Sequence, residues 1–315
     1  MADHSLAMTV APRARFADRL SSTLLFAGGL VAFLVLAGIV WVLGQNTLEF
    51  FQFVSPVDFL TGTTWHAVAD TEEAYGVLAL VAGTLLVTAG AVLIGLPLGL
   101  SAAIYLAEYA SPRVRSIVKP ALELLAGIPS IVFGFFALLV ISPIIQEWTA
   151  EGTFLGGIFG QARIFSAANA IVVVGIMVIP IIATLSEDAI RAVPRHLREA
   201  SMGLGATRWE TTRKVVLPAA LSGITASFVL GVSRAIGESM AVALAAGTTP
   251  NFTINPVESI QTMTSFIVIQ STGDVVAHGP VYLSLFAVGF ALFAMTFVLN
   301  LVASRFVRRY REVDA

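Results

Sequence analysis

Residues Glu187 to Pro218, EDAIRAVPRHLREASMGLGATRWETTRKVVLP, form the longest polar interruption in the second half of an otherwise apolar chain. Six of the 18 Lys and Arg residues lie in it: Arg191, Arg195, Arg198, Arg208, Arg213 and Lys214. Pro194 suits the first turn of a helix, where its missing N–H would have no partner anyway. Leu197, Ala200, Ser201 and Leu204 then fall at i, i+3, i+4 and i+7, a narrow stripe of small and apolar residues. Gly203 and Gly205 end that helix. Thr207 and Glu210 form a T-x-x-E capping box for a second short helix carrying Trp209 and Val216, which Pro218 stops. Helices this short are marginal in water and need a surface to pack on. These features alone leave two readings open, a basic loop facing lipid and a docking device for another protein.

The rest of the chain decides where this loop sits. Across 315 residues the mean hydropathy is +0.87, with 57% hydrophobic and 12% charged residues, whereas soluble domains approach about a quarter charged. The chain therefore reads as an integral membrane protein. Six apolar stretches are long enough to cross about 30 Å of hydrocarbon: 21–43, 76–107, 117–141, 168–187, 219–246 and 280–304. The first is longer than a signal-peptide core and is followed by no small-residue cleavage site, so it reads as a retained anchor. The second contains Gly95-Leu-Pro-Leu-Gly99, where a kink and close packing are expected. The division that follows is a tail at 1–20, the first span with its outer loop at 21–75, a core at 76–305 containing the 187–218 loop, and a tail at 306–315.

Basic residues set the orientation. Three precede the first span, three lie between the second and third, six in the 187–218 loop, and four follow the sixth span, so sixteen of eighteen fall on one side. The opposite loops carry Arg163 alone against nine carboxylates. The excess of Lys and Arg marks the cytoplasmic side, which puts both termini and the central loop there. The outer loops at 44–75, 142–167 and 247–279 are too short to capture a solute unaided, so a separate binding protein is expected.

Arg234 and Glu238 are the charges placed deep in a span. An ionised group there costs on the order of 2.5–3.5 kcal/mol even on the lenient insertion scale, which drives it toward the bundle interior. Their i, i+4 spacing lets them pair on one helical face, either as a structural lock or as a cation moderated by a carboxylate. Thr84, Thr88, Ser101, Ser130 and Ser233 could bind substrate but are more often satisfied by helix carbonyls. Glu123, Glu187 and Asp188 are expected to be solvated at the membrane boundary. Four scattered histidines and the absence of cysteine offer no metal spacing. Neither lysine lies in G-x-x-x-x-G-K-[ST], so this chain is not an ATPase, and H-E-x-x-H and G-x-S-x-G are absent.

Glu199-Ala200-Ser201, three residues, Gly205, nine residues, Val215, any residue, Leu217-Pro218 resembles the EAA loop of ABC importer permeases, with Ser for the second Ala and Val for Ile. Ala126–Phe135 (AGIPSIVFGF), Ser233–Gly247 (SRAIGESMAVALAAG) and the later ESIQTMTSFIV are similar to segments of the phosphate-importing, PstC-like branch, so the resemblance covers roughly 75–305. It implies an all-α, six-helix type I importer (MetI-like) permease bundle in a bacterial cytoplasmic membrane. It also implies coupling through Glu199, Ala200, Ser201, Gly205, Leu217 and Pro218, and an anion path along Arg234, Glu238, Ser233 and Ser130. The implied partners are a second, PstA-like permease, a PstB-like ATPase pair that binds ATP and Mg, and an external PstS-like phosphate-binding protein. Membrane lipid surrounds the chain, nucleic acid is not a partner, and no cofactor is held by the chain itself. The loop does not separate phosphate from molybdate, sulfate or phosphonate. A secondary carrier would instead show repeated broken helices in two halves, a cue not visible in the sequence.

Overall fold

The computed structural model describes residues 12–66, 74–273 and 279–311. Parts of both expected tails, together with His4, Asp70, Glu72, Glu73, Asp274 and His278, lie outside the described residues. The first helix, α1 (Pro12–Phe50), is followed by α2 (Pro56–Thr61) and a two-residue antiparallel pair, β1 (Trp65–His66) with β2 (Ala74–Tyr75). Next come α3 (Leu78–Ile104), extended by a wide π-type turn at Tyr105–Tyr109, and the separate helix α4 (Pro112–Ala126). A discontinuous stretch holds α5 (Ser130–Phe136), a second wide turn at Ala137–Ile141, and α6 (Ser142–Trp148). After α7 (Phe154–Phe159) runs the long α8 (Ala167–Ala192). The loop contributes α9 (Arg195–Gly203), α10 (Arg208–Thr211), a third wide turn at Thr212–Val216, and α11 (Leu217–Ala219). The chain ends with α12 (Leu221–Gly237), α13 (Met240–Ala246), α14 (Met263–Thr272) and α15 (Pro280–Arg311).

Five helical stretches among the described residues are long and apolar enough to cross a membrane, and a sixth results if the bent pair 208–219 and 221–237 is counted as one. Two expected spans are broken. The third does not run 117–141: Pro129 lacks an N–H and holds extended dihedrals, Gly127 ends α4, and the apolar helix is Ser130–Trp148. The fifth does not run 219–246 but stops at Gly237, where Glu238 turns extended (φ −71°, ψ 125°). Conversely, α3 runs through Pro97 as one helix, with Pro97 exposed.

The centre of the bundle is α3 running parallel to α8, and glycine makes it possible. A Cβ at Gly95 would collide with Val178 and lie 2.8 Å from the Gly175 carbonyl oxygen. One at Gly99 would sit 2.8 Å from Ile182 Cβ. Gly175 returns the contact, since a Cβ there would lie 3.1 Å from Ile94 Cβ. Apolar side chains have no hydrophobic advantage over lipid tails, so such backbone proximity supplies the dispersion energy that joins helices in a bilayer. On the other side of α8 runs antiparallel α12, with Gly223 against Ala189, Ser227 bonded to Ser186 at 2.7 Å, and Gly231 against Ile182. The first helix packs on α15 at the periphery, and no residue of its central apolar stretch is buried.

At the far end, away from the 187–218 loop, an aromatic cluster of Phe50, Phe59, Trp65, Tyr75 and Phe266 ties α1, α2, the strand pair, α3 and α14 together. The 247–279 stretch, expected to be a plain outer loop, enters this core. Thr84 Oγ1 accepts the Met263 N–H at 3.0 Å, and the Gln261 carbonyl oxygen fills the space a Cβ at Gly83 would need.

At the loop end a charge cluster replaces grease. Glu187, expected to be solvated, is 0% exposed. It pairs with Arg115, with Lys119 Nζ at 2.9 Å and with Arg191 at 3.8 Å, while Lys119 also reaches Asp188 at 2.6 Å. The first two partners lie on α4, a helix with no buried residue, so α4 is joined to α8 largely by ions. Burial acts to lower the Lys119 pKa, but hydrogen bonds and charge from Asp188 and Glu187 outweigh it and raise it. The stabilisation is therefore complete at neutral pH and is lost only as pH rises through the raised value.

Two pairs of substitutions test this architecture. Gly95→Val should destabilise by about 1–3 kcal/mol, the usual range for overpacking, whereas Gly28→Val, where a Cβ meets nothing within 4 Å, should leave the melting temperature of the solubilised chain unchanged. Glu187→Gln takes the carboxylate from Arg115 while Lys119 keeps Asp188, and should lower the melting temperature, with Asp188→Asn far milder in the same assay.

Candidate functional site

The central loop is rigid at its base and bare at its tip. Arg198 donates from Nη1 to the Val193 carbonyl oxygen at 2.5 Å and from Nη2 to that of Ile190 at 2.7 Å. These carbonyls lie at the C-terminal end of α8, where that of Ile190 also accepts the Val193 N–H at 3.3 Å and a cation meets the negative end of the helix dipole. The same guanidinium reaches Glu108 Oε1 at 3.0 and 3.2 Å, joining α9 to the end of α3. Arg208 donates to the Glu108 carbonyl oxygen and lies 5.0 Å over the Tyr109 ring. Ser201 and Thr211 bond hydroxyl to hydroxyl at 2.9 Å, holding α9 to α10.

Local rules shape the tip as expected. Gly205 takes φ +89°, a left-handed turn that suits glycine. Thr207 and Glu210 complete the capping box in both directions. The backbone N–H of Thr207, then its hydroxyl, then Lys214 hold the Glu210 carboxyl below its ordinary range, so the box is intact at neutral pH and is lost only in acid. Glu199, Ala200, Met202, Gly203 and Gly205 are exposed, and Leu204 is 91% exposed. An apolar residue so bare on a well-anchored elbow is a docking feature.

Pro218 does not stop the second loop helix. The wide turn at Thr212–Val216 puts the Leu217 N–H on the Thr212 carbonyl oxygen, and the helix continues through Pro218 to Ala219. At Ala220 it bends by 71° into α12. The loop thus leads into the fifth span through an elbow and not along a straight rod.

At the other end of α12 the expected Arg234–Glu238 helical pair is not formed. Gly237 ends the helix, so the two side chains no longer share a face, and no ion pair joins them. Glu238 is buried and acts on the next helix: its Oε1 accepts the Ala241 N–H at 3.3 Å, and its backbone oxygen accepts Thr264 Oγ1 at 2.7 Å. Arg234 is exposed in the last turn of α12, three residues beyond Gly231, which touches Ile182; this sets it level with the middle of α8. Ser233 faces α15 and donates to Asn300 Oδ1 at 3.1 Å. Ser130 opens α5, whose Gly134 packs on Ala241 and Leu244 of α13. Both helix breaks therefore lead into half-helices that pack on each other. Thr84, Thr88 and Ser101 donate to carbonyls four residues back, as expected. Sequence reasoning missed Glu187, Arg198 and Glu108, whose partners are about 70 to 90 residues away and carry no local spacing signal.

Comparison with known proteins gives the arrangement a family. The family described as "Binding-protein-dependent transport system inner membrane component" matches residues 95–312. A Bacillus subtilis protein, "Probable ABC transporter permease protein YqgH", is 35% identical over 273 residues, 86% of this chain and 84% of its own length. "Phosphate transport system permease protein PstC" of Mesorhizobium japonicum is 34% identical over 265 residues, 80% of this chain and 78% of its own. In solved structures, the fold matches a bacterial ABC transporter importing alginate, with TM-score 0.61 over 94% of this chain and 16% identity. It also matches the MetNI methionine ABC transporter, with TM-score 0.52 over 75% of this chain and 19% identity. The anchored elbow and broken helices described above belong to a multi-pass membrane protein of the binding-protein-dependent transport system inner membrane component family, the permeases of ABC importers.

Proposed function

We propose that this chain is the permease subunit that passes inorganic phosphate through an ATP-driven importer of the bacterial cytoplasmic membrane, with both termini and the α9–α10 elbow in the cytoplasm. The observation that carries the coupling half is the elbow itself, bare at Leu204 and tied at its base to α3 and α8 by Arg198. A PstB-like ATPase pair, which would bind the ATP and Mg, docks on the exposed face around Glu199, Ala200, Ser201 and Gly205. Movement there passes through Leu217, Pro218 and the Ala220 bend into α12, at whose end Arg234 sits.

Arg234 and the relatives point to the cargo. Several proteins about 34% identical over most of the chain are named phosphate transport permeases. An exposed guanidinium with no ion pair among the described residues, at the middle of the bundle, suits a tetrahedral oxyanion. Ser130 and Glu238 flank the same pair of broken helices, whereas Ser233 faces away toward α15 and contributes to the path only if that helix moves. A PstA-like permease supplies the other half of the pathway and a PstS-like protein delivers the anion from outside. Molybdate, sulfate or phosphonate are the competing cargoes.

Deletion of the chain should abolish high-affinity phosphate uptake, and sulfate or molybdate uptake lost in its place would reassign the cargo. Arg234→Gln should lower phosphate uptake about 10–100-fold, the loss of one charge-assisted contact worth about 1.5–3 kcal/mol, while co-elution with the ATPase is unchanged. Gly205→Val strains a positive-φ turn by about 1–2 kcal/mol and should leave ATP hydrolysis running with uptake reduced; tightly coupled transport in this variant would contradict the docking role.

A further inference from the structure

Arg163 is the one basic residue that the sequence places in the outer loops, against nine carboxylates. Its side chain is exposed and forms no ion pair among the described residues. It lines a cavity of about 510 Å³ with Gln146, Phe165, Thr249 and Ser259, a volume in the range that takes small ligands. Residues able to donate to an oxyanion line it: Arg163 with its guanidinium, Thr249 with its hydroxyl, and Gln146, whose Nε2 gives one hydrogen to Ser142 at 3.3 Å and keeps a second. Ser259 donates to the Ala246 carbonyl oxygen at 2.9 Å, so it fixes the cavity floor and does not serve as a donor.

Through that hydrogen bond the floor rests against the C-terminal end of α13. Gly247 turns there at φ +93°, and a Cβ on it would lie 3.1 Å from Phe165. The other end of α13 starts beside Glu238, whose carboxylate caps it. Seven residues at about 1.5 Å each make this half-helix roughly 10 Å long, so the cavity and the helix break flanked by Arg234 and Glu238 lie at opposite ends of one short rod. An unpaired guanidinium in a concave wall offers an anion a charge-assisted contact.

We infer that the Arg163 cavity is an outer landing site for a tetrahedral oxyanion, which holds the anion between its release from the binding protein and its passage to Arg234. This inference rests on the phosphate reading above and deepens it. The test uses the complete importer in proteoliposomes, with ATP inside and phosphate-loaded binding protein outside. Arg163→Gln should lower the maximal uptake rate at saturating binding protein about tenfold, leave the binding-protein concentration for half-maximal rate unchanged, and flatten the dependence of uptake on ionic strength. Arg163→Lys, which keeps the charge, should retain most of the rate; both variants are compared only as complexes that co-elute like the parent. An unchanged maximal rate overturns the inference. So does a shift confined to the half-maximal binding-protein concentration, which would make Arg163 a contact for that protein. A parent complex that moves no phosphate sinks the cargo assignment itself, an outcome distinct from either.

Discussion

The close approach of α3 and α8 is the constraint on which the rest depends. Two apolar helices in lipid gain little from hydrophobicity, so their adhesion comes from dispersion at short range and from internally paired polar groups. Gly95, Gly99 and Gly175 remove the side chains that would hold the helices apart. Once these two helices are fixed, α12 has a groove to lie in, through Gly223, Ser227 and Gly231, and α5 and α13 have one another. The long peripheral helices add little to this centre.

Polar chemistry is then confined to three levels. At the loop end, arginines and Glu108 fasten the elbow to two helix termini. In the middle, interrupted helices expose Arg234 and bury Glu238. At the far end, backbone from 260–266 threads into the core, where Thr84 accepts the Met263 N–H and Thr262 that of Ser265. Each departure from regular helix is compensated locally, as required where water is scarce.

Much of this is legible in the sequence because it is local. The polar break at 187–218, the capping box at Thr207 and Glu210, the left-handed Gly205 and the charge asymmetry are patterns over a few residues. Where the sequence misleads, apolar composition masks a backbone event. The run from 117 to 141 looks continuous although Pro129 divides it, and the Arg234–Glu238 spacing looks helical although the helix ends between them. Glu187 next to Asp188 looks like an ordinary interfacial acid. Its burial follows from Arg115 and Lys119, about 70 residues earlier, and no periodicity connects them.

The attachment of α4 has a consequence of its own. The α3–α8 and α8–α12 junctions are held by close packing and a hydroxyl pair, whose attraction is indifferent to dissolved ions. Helix α4 offers no buried residue and touches the core mainly through Leu125, and its grip on α8 is coulombic. Coulomb energy scales inversely with the dielectric constant around the charges, so the same bridges are strong in a dry crevice and weak in a wet one. The joint between α4 and α8 is therefore a hygrometer: it tightens where water is expelled from its side of the bundle and slackens where water enters.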